Sequence, residues 1–444
     1  MRHKFFQKAL CLAITSIMTL TLAACGEGGS SSGGSSSGGS SSGGGGNNPI
    51  KIGVVLDQTG DLSVYGLSAI AGMRVAVDEI NEGGGLLGRN IELVLTDSQT
   101  DISVTQQMAS KLISEGCDVI IGGVTSASRE AIRPMMDEAE QLYFYPVEYE
   151  GGVADHYTFC TGPLCAEQSV WTSMDLLVPQ YEDCKIYVVA PDYNFGQIMA
   201  LYVENKVNEL GATIVGEEFA PLGTSDFSST ISNITTAKPD IVIFMPAGAS
   251  MSAFYTQWAK EGIAGTPIIT HSSLITYYEH KTMEVGTLTG VYVCAPYVEE
   301  FTTDAAIAFT EKVKPILEEY GIPYGNEQAS YGYDNIRLYA AAVELAGTTD
   351  TEAVIAALET GKVTIEGPSG TITMRGEDHQ TSRDMTLVTC DETNTLQIVS
   401  SSENQYSTYI EECILEEFGV EGGLAGLAAA GKEAPNSQYI PDVD

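Results

Sequence analysis

From Pro49 onward, short apolar runs alternate with longer stretches in which apolar residues recur every three or four positions. Lys51–Leu56, Ile91–Leu95, Asp118–Gly123 and Leu142–Pro146 read as strands. Between them, Gly66–Asn81 carries Ile70, Met73, Val77 and Ile80 at helical spacing and stops at Gly83-Gly84-Gly85; Ile102–Glu115 and Ser126–Gln141 are the next helices. Strands that are apolar at nearly every position are buried on both faces, so this alternation predicts a parallel sheet covered by helices.

The pattern then repeats. Lys185–Pro191, Asp240–Pro246 and Pro267–Thr270 are strands, with Asn194 as an N-cap for a helix reaching Leu210 and ending at Gly211. After Gly290–Tyr297 come three helical stretches, Ala305–Tyr320, Gln328–Ala346 and Asp350–Leu358, with no strands between them to build a third sheet; they are expected to complete the first lobe. Thr371–Met374, Met385–Thr389 and Leu396–Val399 read as a hairpin or meander on the second lobe. The prediction is an α/β protein of two Rossmann-like lobes with parallel sheets, joined by a three-stranded hinge. The crossings are expected near Thr161-Gly162-Pro163, Ala295-Pro296 and Gly367-Pro368-Ser369. Lobe 1 takes residues 51–162 plus 297–367, lobe 2 takes 163–296 plus 368–418, and 419–444 is a C-terminal tail. A cleft between two hinged lobes is built to close round a ligand.

The first 48 residues obey a different pattern. Arg2, Lys4 and Lys8 precede an apolar run, Ala9–Leu22, which ends in Leu22-Ala23-Ala24-Cys25. That is the layout of an export signal over residues 1–24, and a cysteine directly after Ala23-Ala24 resembles the lipobox of bacterial lipoproteins, which implies lipidation of Cys25. Residues 25–48 are then the lipidated cysteine and a linker; as a Gly/Ser coil, Gly26–Asn48 spans about 24–29 Å. The expectation is an extracytoplasmic domain tethered to the bacterial cell membrane.

Composition narrows the function classes. With 43% apolar and 18% charged residues the chain is globular rather than disordered. Its net charge is −38, and removing Arg2, Lys4 and Lys8 with the signal makes it −41, a surface that repels phosphate backbones and argues against nucleic acid. Seven cysteines remain beyond Cys25, an odd number, so a complete disulfide framework is excluded; Cys160 and Cys165 are near enough in sequence to pair. No strand is followed by G-x-G-x-x-G or G-x-x-x-x-G-K-[ST], and the histidines lack metal-ligand spacing, so neither a cofactor nor a metal is expected. Hydrolysis needs an activated nucleophile or a metal-bound water; the G-x-S-x-G matches lie in the linker and Cys160 has no evident base, so no catalytic residue is assigned.

The densest chemistry lies in Tyr143–Gly152, YFYPVEYEGG, where a strand exits into three tyrosines, two carboxylates and a glycine pair. A small polar ligand needs that mixture of apolar faces, hydroxyls and acceptors. Tyr145 and the backbone after Pro146, hence Val147, line the expected wall, with Glu148 or Tyr149 as acceptor and aromatic face. Thr125, Ser126 and Ser128 sit where a strand enters a helix, at the usual ligand edge of an open α/β sheet. Ser126 serves as a plain N-cap, a ligand donor or both, and Glu148 as a ligand acceptor or a solvated loop carboxylate. From the opposite lobe come Tyr193 and Asp192, the latter equally readable as a helix cap, and His271 and Ser272 after another strand.

Several stretches carry a family resemblance over nearly the whole mature chain: Gly123–Pro134 (GVTSASREAIRP), Tyr145–Gly151 (YPVEYEG), Tyr157–Gly162 (YTFCTG) with Glu167-Gln168 beyond, Pro191–Asn194 (PDYN), and Gly367–Met374 (GPSGTITM) followed by His379. In these the chain resembles the type I periplasmic binding proteins of bacterial ABC transporters, and within them the branch that binds urea and short-chain amides. The resemblance implies that urea, acetamide or a close relative is captured in the cleft and delivered to ABC permease subunits. Two features depart from it: Glu148 stands where family members often have a neutral residue, and the tail from Cys413 to Asp444 matches no part of the pattern. An amino-acid receptor of the same fold, in which Glu148 pairs with an ammonium and Ser126 with a carboxylate, is the alternative, as is a sensory amide receptor.

Overall fold

A computed structural model describes residues 48–245, 247–271 and 279–443. The first lobe is built on β1 (Ile50–Leu56), α1 (Ser63–Glu82), β2 (Ile91–Asp97), α2 (Ile102–Ser114), β3 (Val119–Gly122), α3 (Ser126–Glu138), β4 (Tyr143–Tyr145), the short β5 (Val153–Ala154) and β6 (Thr158–Cys160). Five of these strands form one parallel sheet in the order β2-β1-β3-β4-β6. Its apolar strands are buried as their composition requires, with Ile52, Val54, Ile120, Ile121 and Phe144 fully enclosed.

The second lobe follows with α4 (Trp171–Leu177), β7 (Lys185–Pro191), α5 (Asn194–Glu209), β8 (Thr213–Ala220), α6 (Ser228–Ala237), β9 (Ile241–Phe244), α7 (Ala249–Glu261), β10 (Ile268–Thr270), α8 (Glu279–Thr282) and β11 (Val291–Ala295). The chain then forms α9 (Asp304–Glu319), α10 (Glu327–Ala346) and α11 (Thr351–Leu358), whose apolar faces enter the core of the first lobe. Two glycines set that packing. A Cβ on Gly72 of α1 would lie 1.8 Å from the Ala329 carbonyl oxygen, and one on Gly332 of α10 would lie 1.9 Å from that of Ala69, so α1 and α10 meet backbone to backbone.

The chain returns through β12 (Thr364–Gly367), β13 (Gly370–Met374), β14 (Thr381–Cys390) and β15 (Leu396–Gln405), and ends with α12 (Tyr409–Phe418), α13 (Gly423–Ala429) and β16 (Ser437–Gln438). Among the described residues the second sheet has nine strands: β8, β7, β9, β10 and β11 run parallel, β14 pairs antiparallel with β11 and carries β13 and β15, and β12 lies antiparallel on β13. The parallel sheet expected here is therefore a parallel half with an antiparallel extension.

Gly367-Pro368-Ser369 is not a crossing. It forms the tight turn of the β12–β13 hairpin, with Gly367 opposite Gly370, and Ile372 and Met374 of β13 still pack in the first-lobe core. The long strand β14 makes the passage instead: its start hydrogen-bonds the first crossing through Thr381 Oγ1 to the Thr161 carbonyl (3.2 Å), whereas Val388 and Cys390 at its end lie in the second-lobe core. A fully buried Arg383 on β14 donates to the same Thr161 carbonyl, and Thr161 Oγ1 donates to Asn335 on α10 at 2.6 Å. Asn194 opens α5 without capping it, for Tyr193 holds the N-cap position and no side chain caps that helix. All seven cysteines beyond Cys25 are free, including Cys160 and Cys165. Cys25 and the linker lie outside the described residues.

Candidate functional site

The carboxyl ends of the strands of both lobes face one small cavity, the position at which open α/β sheets present ligands. On the first-lobe side α3 provides its floor. Thr125 is the N-cap: its hydroxyl accepts from the Ser128 amide at 3.0 Å while Ser128 Oγ accepts from the Thr125 amide at 3.0 Å, a reciprocal capping box. With these groups satisfied, the first-turn amides of Ser126 and Ala127 have no acceptor within the helix and carry the positive end of its dipole. Ser126, Tyr145 and Glu148 line the same wall, joined by Leu62 and Tyr65 at the start of α1; Tyr193, Phe195, Ala247 and His271 close it from the second lobe. The lobes touch across the opening, where the Gly248 amide donates to Tyr65 Oη at 3.4 Å.

Behind the wall lies a buried ion pair. Arg129 and Glu150 are both fully enclosed, with Arg129 Nη2 2.6 Å from Glu150 Oε1. Ser126 Oγ donates to Glu150 Oε2 at 2.6 Å, and the guanidinium sits 5.1 Å from the ring centroids of both Tyr145 and Tyr149. Burial alone would raise the Glu150 pKa, but the Arg129 charge and the hydrogen bonds to the carboxylate outweigh it and hold the group below the usual range. The pair is thus a charged brace that fixes Ser126 from behind.

Glu148 is the carboxylate in the cavity itself, 9% exposed and accepting from Gln328 Nε2 of α10. His271, from the second lobe, faces it as a neutral group: burial pushes its pKa down to about 4, and Nε2 lies 2.9 Å from the Met245 carbonyl, which fixes the proton on that nitrogen. The free space is small, about 30 Å³, room for a few heavy atoms. An adjoining recess of about 170 Å³ shares Thr125 and Tyr193 with it and is lined besides by Ile102, Ala127 and Leu222 and by the polar Asp57, Thr100, Asp101, Thr105 and Ser128. A larger groove of about 460 Å³ beside Trp258, Pro267 and Tyr292 lies at the amino ends of β10 and β11 and is built by the second lobe alone, so it lacks the two-sided closure of the cavity.

A family model described as periplasmic binding protein matches residues 49–395. The chain belongs to the periplasmic binding protein family. Membership puts this periplasmic binding protein outside the cytoplasm and makes its work binding rather than catalysis; among the described residues no helix is long and apolar enough to cross a membrane. The chain is 23% identical over 326 residues to a Leu/Ile/Val-binding protein homolog of Brucella abortus, covering 70% of this chain and 82% of that one. Two solved structures share the fold. A leucine-binding protein from Thermotoga maritima aligns with a TM-score of 0.67 at 21% identity, over 80% of this chain and 99% of that one. A solute-binding protein of an ABC transporter from Rhodopseudomonas palustris, in complex with 3,4-dihydroxybenzoic acid, aligns with a TM-score of 0.69 at 20% identity, over 81% and 98%. These relatives and neighbours carry amino-acid and aromatic-acid names, and they do not support the urea and amide branch expected from the Tyr145–Gly151 motif.

Of the residues expected at the site, Thr125, Ser126, Tyr145, Glu148, Tyr193 and His271 come together in the cavity of this binding protein. Ser128 lies one step away, in the capping box and the recess. Three lie elsewhere. Val147 is buried in the first-lobe core, Tyr149 stacks on Arg129 behind the wall, and Asp192 is exposed, its amide spent on the Ala220 carbonyl. The chain bends at Val147 just after β4 and Tyr149 then pairs with Leu164, so these two side chains do not follow Tyr145 onto the cavity wall, whereas Glu148 does. Ser272 lies outside the described residues. Tyr65 and Phe195 were missed; their position in the first turn after β1 and β7 was the available signal. So was Arg129, visible in sequence only as a basic residue inside the first turns of α3.

Proposed function

We propose that the protein is an extracytoplasmic receptor that captures a small aliphatic amino acid as its zwitterion in the interlobe cavity and delivers it to an ABC permease. The observation that carries this reading is that two opposite electrostatic poles border one small space. The α3 amino terminus, with the Ser126 and Ala127 amides, suits a carboxylate; the Glu148 carboxylate, enclosed with it, suits an ammonium. The recess next to it gives an aliphatic side chain somewhere to go. The names of the curated relatives support the same class. Lipidation of Cys25 and the Gly/Ser tether, read from the sequence, would keep the receptor at the membrane that holds the permease.

A second reading keeps the amide. The free volume of about 30 Å³ suits urea or acetamide without any side chain, and among the described residues the second lobe brings no charged partner to the cavity wall, His271 being neutral. Titration calorimetry of the mature protein with L-leucine, L-alanine, acetamide and urea separates the two. Saturable amino-acid binding supports the first reading; amide binding without amino-acid binding replaces it with the second.

A further inference from the structure

The family match ends at residue 395, yet the chain beyond it returns to the back of the cavity. Helices α12 and α13 pack through Ile410, Ile414, Leu424 and Leu427 over Ala154, and the chain then lays β16 antiparallel on β5, Ser437 opposite Ala154 and Gln438 opposite Val153. Arg133 donates to the Ser437 carbonyl at 3.3 Å and Asn436 to Asp137 at 2.9 Å, both on α3. The Tyr439 amide donates to the Gly152 carbonyl at 2.8 Å, and a Cβ on Gly152, whose φ is +82°, would meet the Tyr439 carbonyl oxygen at 2.0 Å. Asn205 on α5 donates to the Asp442 carbonyl, so the same tail also touches the second lobe.

We infer that Gln438, from this tail, is a positioning residue of the ligand cavity. Its Nε2 donates to Glu150 Oε1 at 2.7 Å and to the Gly151 carbonyl at 2.9 Å. Glu150 in turn receives Ser126 Oγ and Arg129, so the tail reaches the cavity wall through two hydrogen bonds. The carboxylate is fully enclosed, and each donor it loses leaves a buried charge less well satisfied. The tail therefore sets where Ser126 and the α3 amino terminus stand, and Gly152 of the aromatic loop leaves the room that admits it. The charged groups facing this point are Arg129, Glu150 and Arg133, with Glu130 and Asp155 behind Arg133, and Glu167 and Asp378 line the small pocket against Gly151 and Gly152.

The inference rests on reading the cavity as the ligand site, and the test uses one readout that does not. Hydrogen exchange of the 124–130 segment and L-leucine affinity are measured for the full mature chain, Q438A, Q438E and Y439F; the last loosens the tail at Glu417 (2.8 Å) without touching Glu150. Both Gln438 variants should speed exchange at the start of α3 and weaken L-leucine binding about tenfold or more, while Y439F leaves both near wild type. In Q438E the introduced carboxyl repels Glu150 at about pH 8 and, protonated at about pH 5.5, donates to it, so affinity and protection recover on acidification. Unchanged exchange in Q438A and Q438E, or the same pH-independent loss in all three variants, overturns the inference. If the wild type binds no L-leucine while exchange still responds to Gln438, the positioning role stands and the amino-acid reading falls.

Discussion

Replacing Glu150 by glutamine removes one charge from the brace behind the cavity and keeps its shape. The cost follows from what remains. Arg129 is fully enclosed, and its nearest other carboxylate, Glu130 at 2.8 Å from Nε, is about one-third exposed and shared with Arg133. Breaking a buried pair by removing one partner costs about 3–5 kcal/mol; the help from Glu130 and the two tyrosine faces puts E150Q at the lower end, about 3 kcal/mol. Urea unfolding of the mature protein, followed by near-ultraviolet circular dichroism, reads this as a lower midpoint with an unchanged slope. The pH dependence carries a sign. The folded-state pKa of Glu150 is depressed, so its contribution is present above the ordinary glutamate range and is lost as pH falls through the folded value. E150Q should therefore lose less stability on acidification than the wild type. A double change, R129M with E150Q, should cost clearly less than the two single changes summed, because no orphan charge is left. An E150Q protein within about 0.5 kcal/mol of wild type at neutral pH would refute the brace.

Glu148→Gln should weaken L-leucine binding about 10- to 100-fold, the scale of a charged hydrogen bond, while leaving the unfolding midpoint near wild type; calorimetry showing intact L-leucine affinity removes Glu148 as the ammonium partner. Asp334, buried at the hinge with Arg383 Nη1 4.0 Å away, has its pKa raised to about 7 by desolvation, which Arg383 only partly opposes. Between about pH 4 and 7 the folded protein holds a proton there that the unfolded chain has released, so stability from this group falls as pH rises, by roughly 2–3 kcal/mol from pH 5 to 8. Asp334→Asn should flatten that slope in urea midpoints taken at both pH values; parallel slopes in variant and wild type contradict it.

The alternating fold was legible because β1, β3 and β9 are short, almost wholly apolar runs, and such runs fit only the buried centre of a parallel sheet. The third crossing was misread for a local reason: Gly367-Pro368 signals a turn, but sequence does not say whether a turn joins two lobes or two strands of a hairpin. Half of the cavity was legible too. Ser126 and Tyr145 sit at strand ends whose direction follows from the alternation, whereas Tyr65 and Phe195 look like any aromatic in a first turn. Val147 and Tyr149 were misplaced because the phase of the strand exit, which decides whether Glu148 or its neighbours face the ligand, is set by tertiary contacts. The tail was opaque throughout, since α13 is mostly Gly and Ala and β16 is two residues long, and its value lies in partners more than 280 positions away.

The most direct measurement is titration calorimetry of the mature protein with L-leucine and acetamide, each against wild type and Glu148→Gln. Saturable L-leucine binding by the wild type, lost or much weakened in the variant, is the result expected of a zwitterion held between Glu148 and the α3 amino terminus. Acetamide binding that is indifferent to the substitution, with no heat from L-leucine, would contradict it.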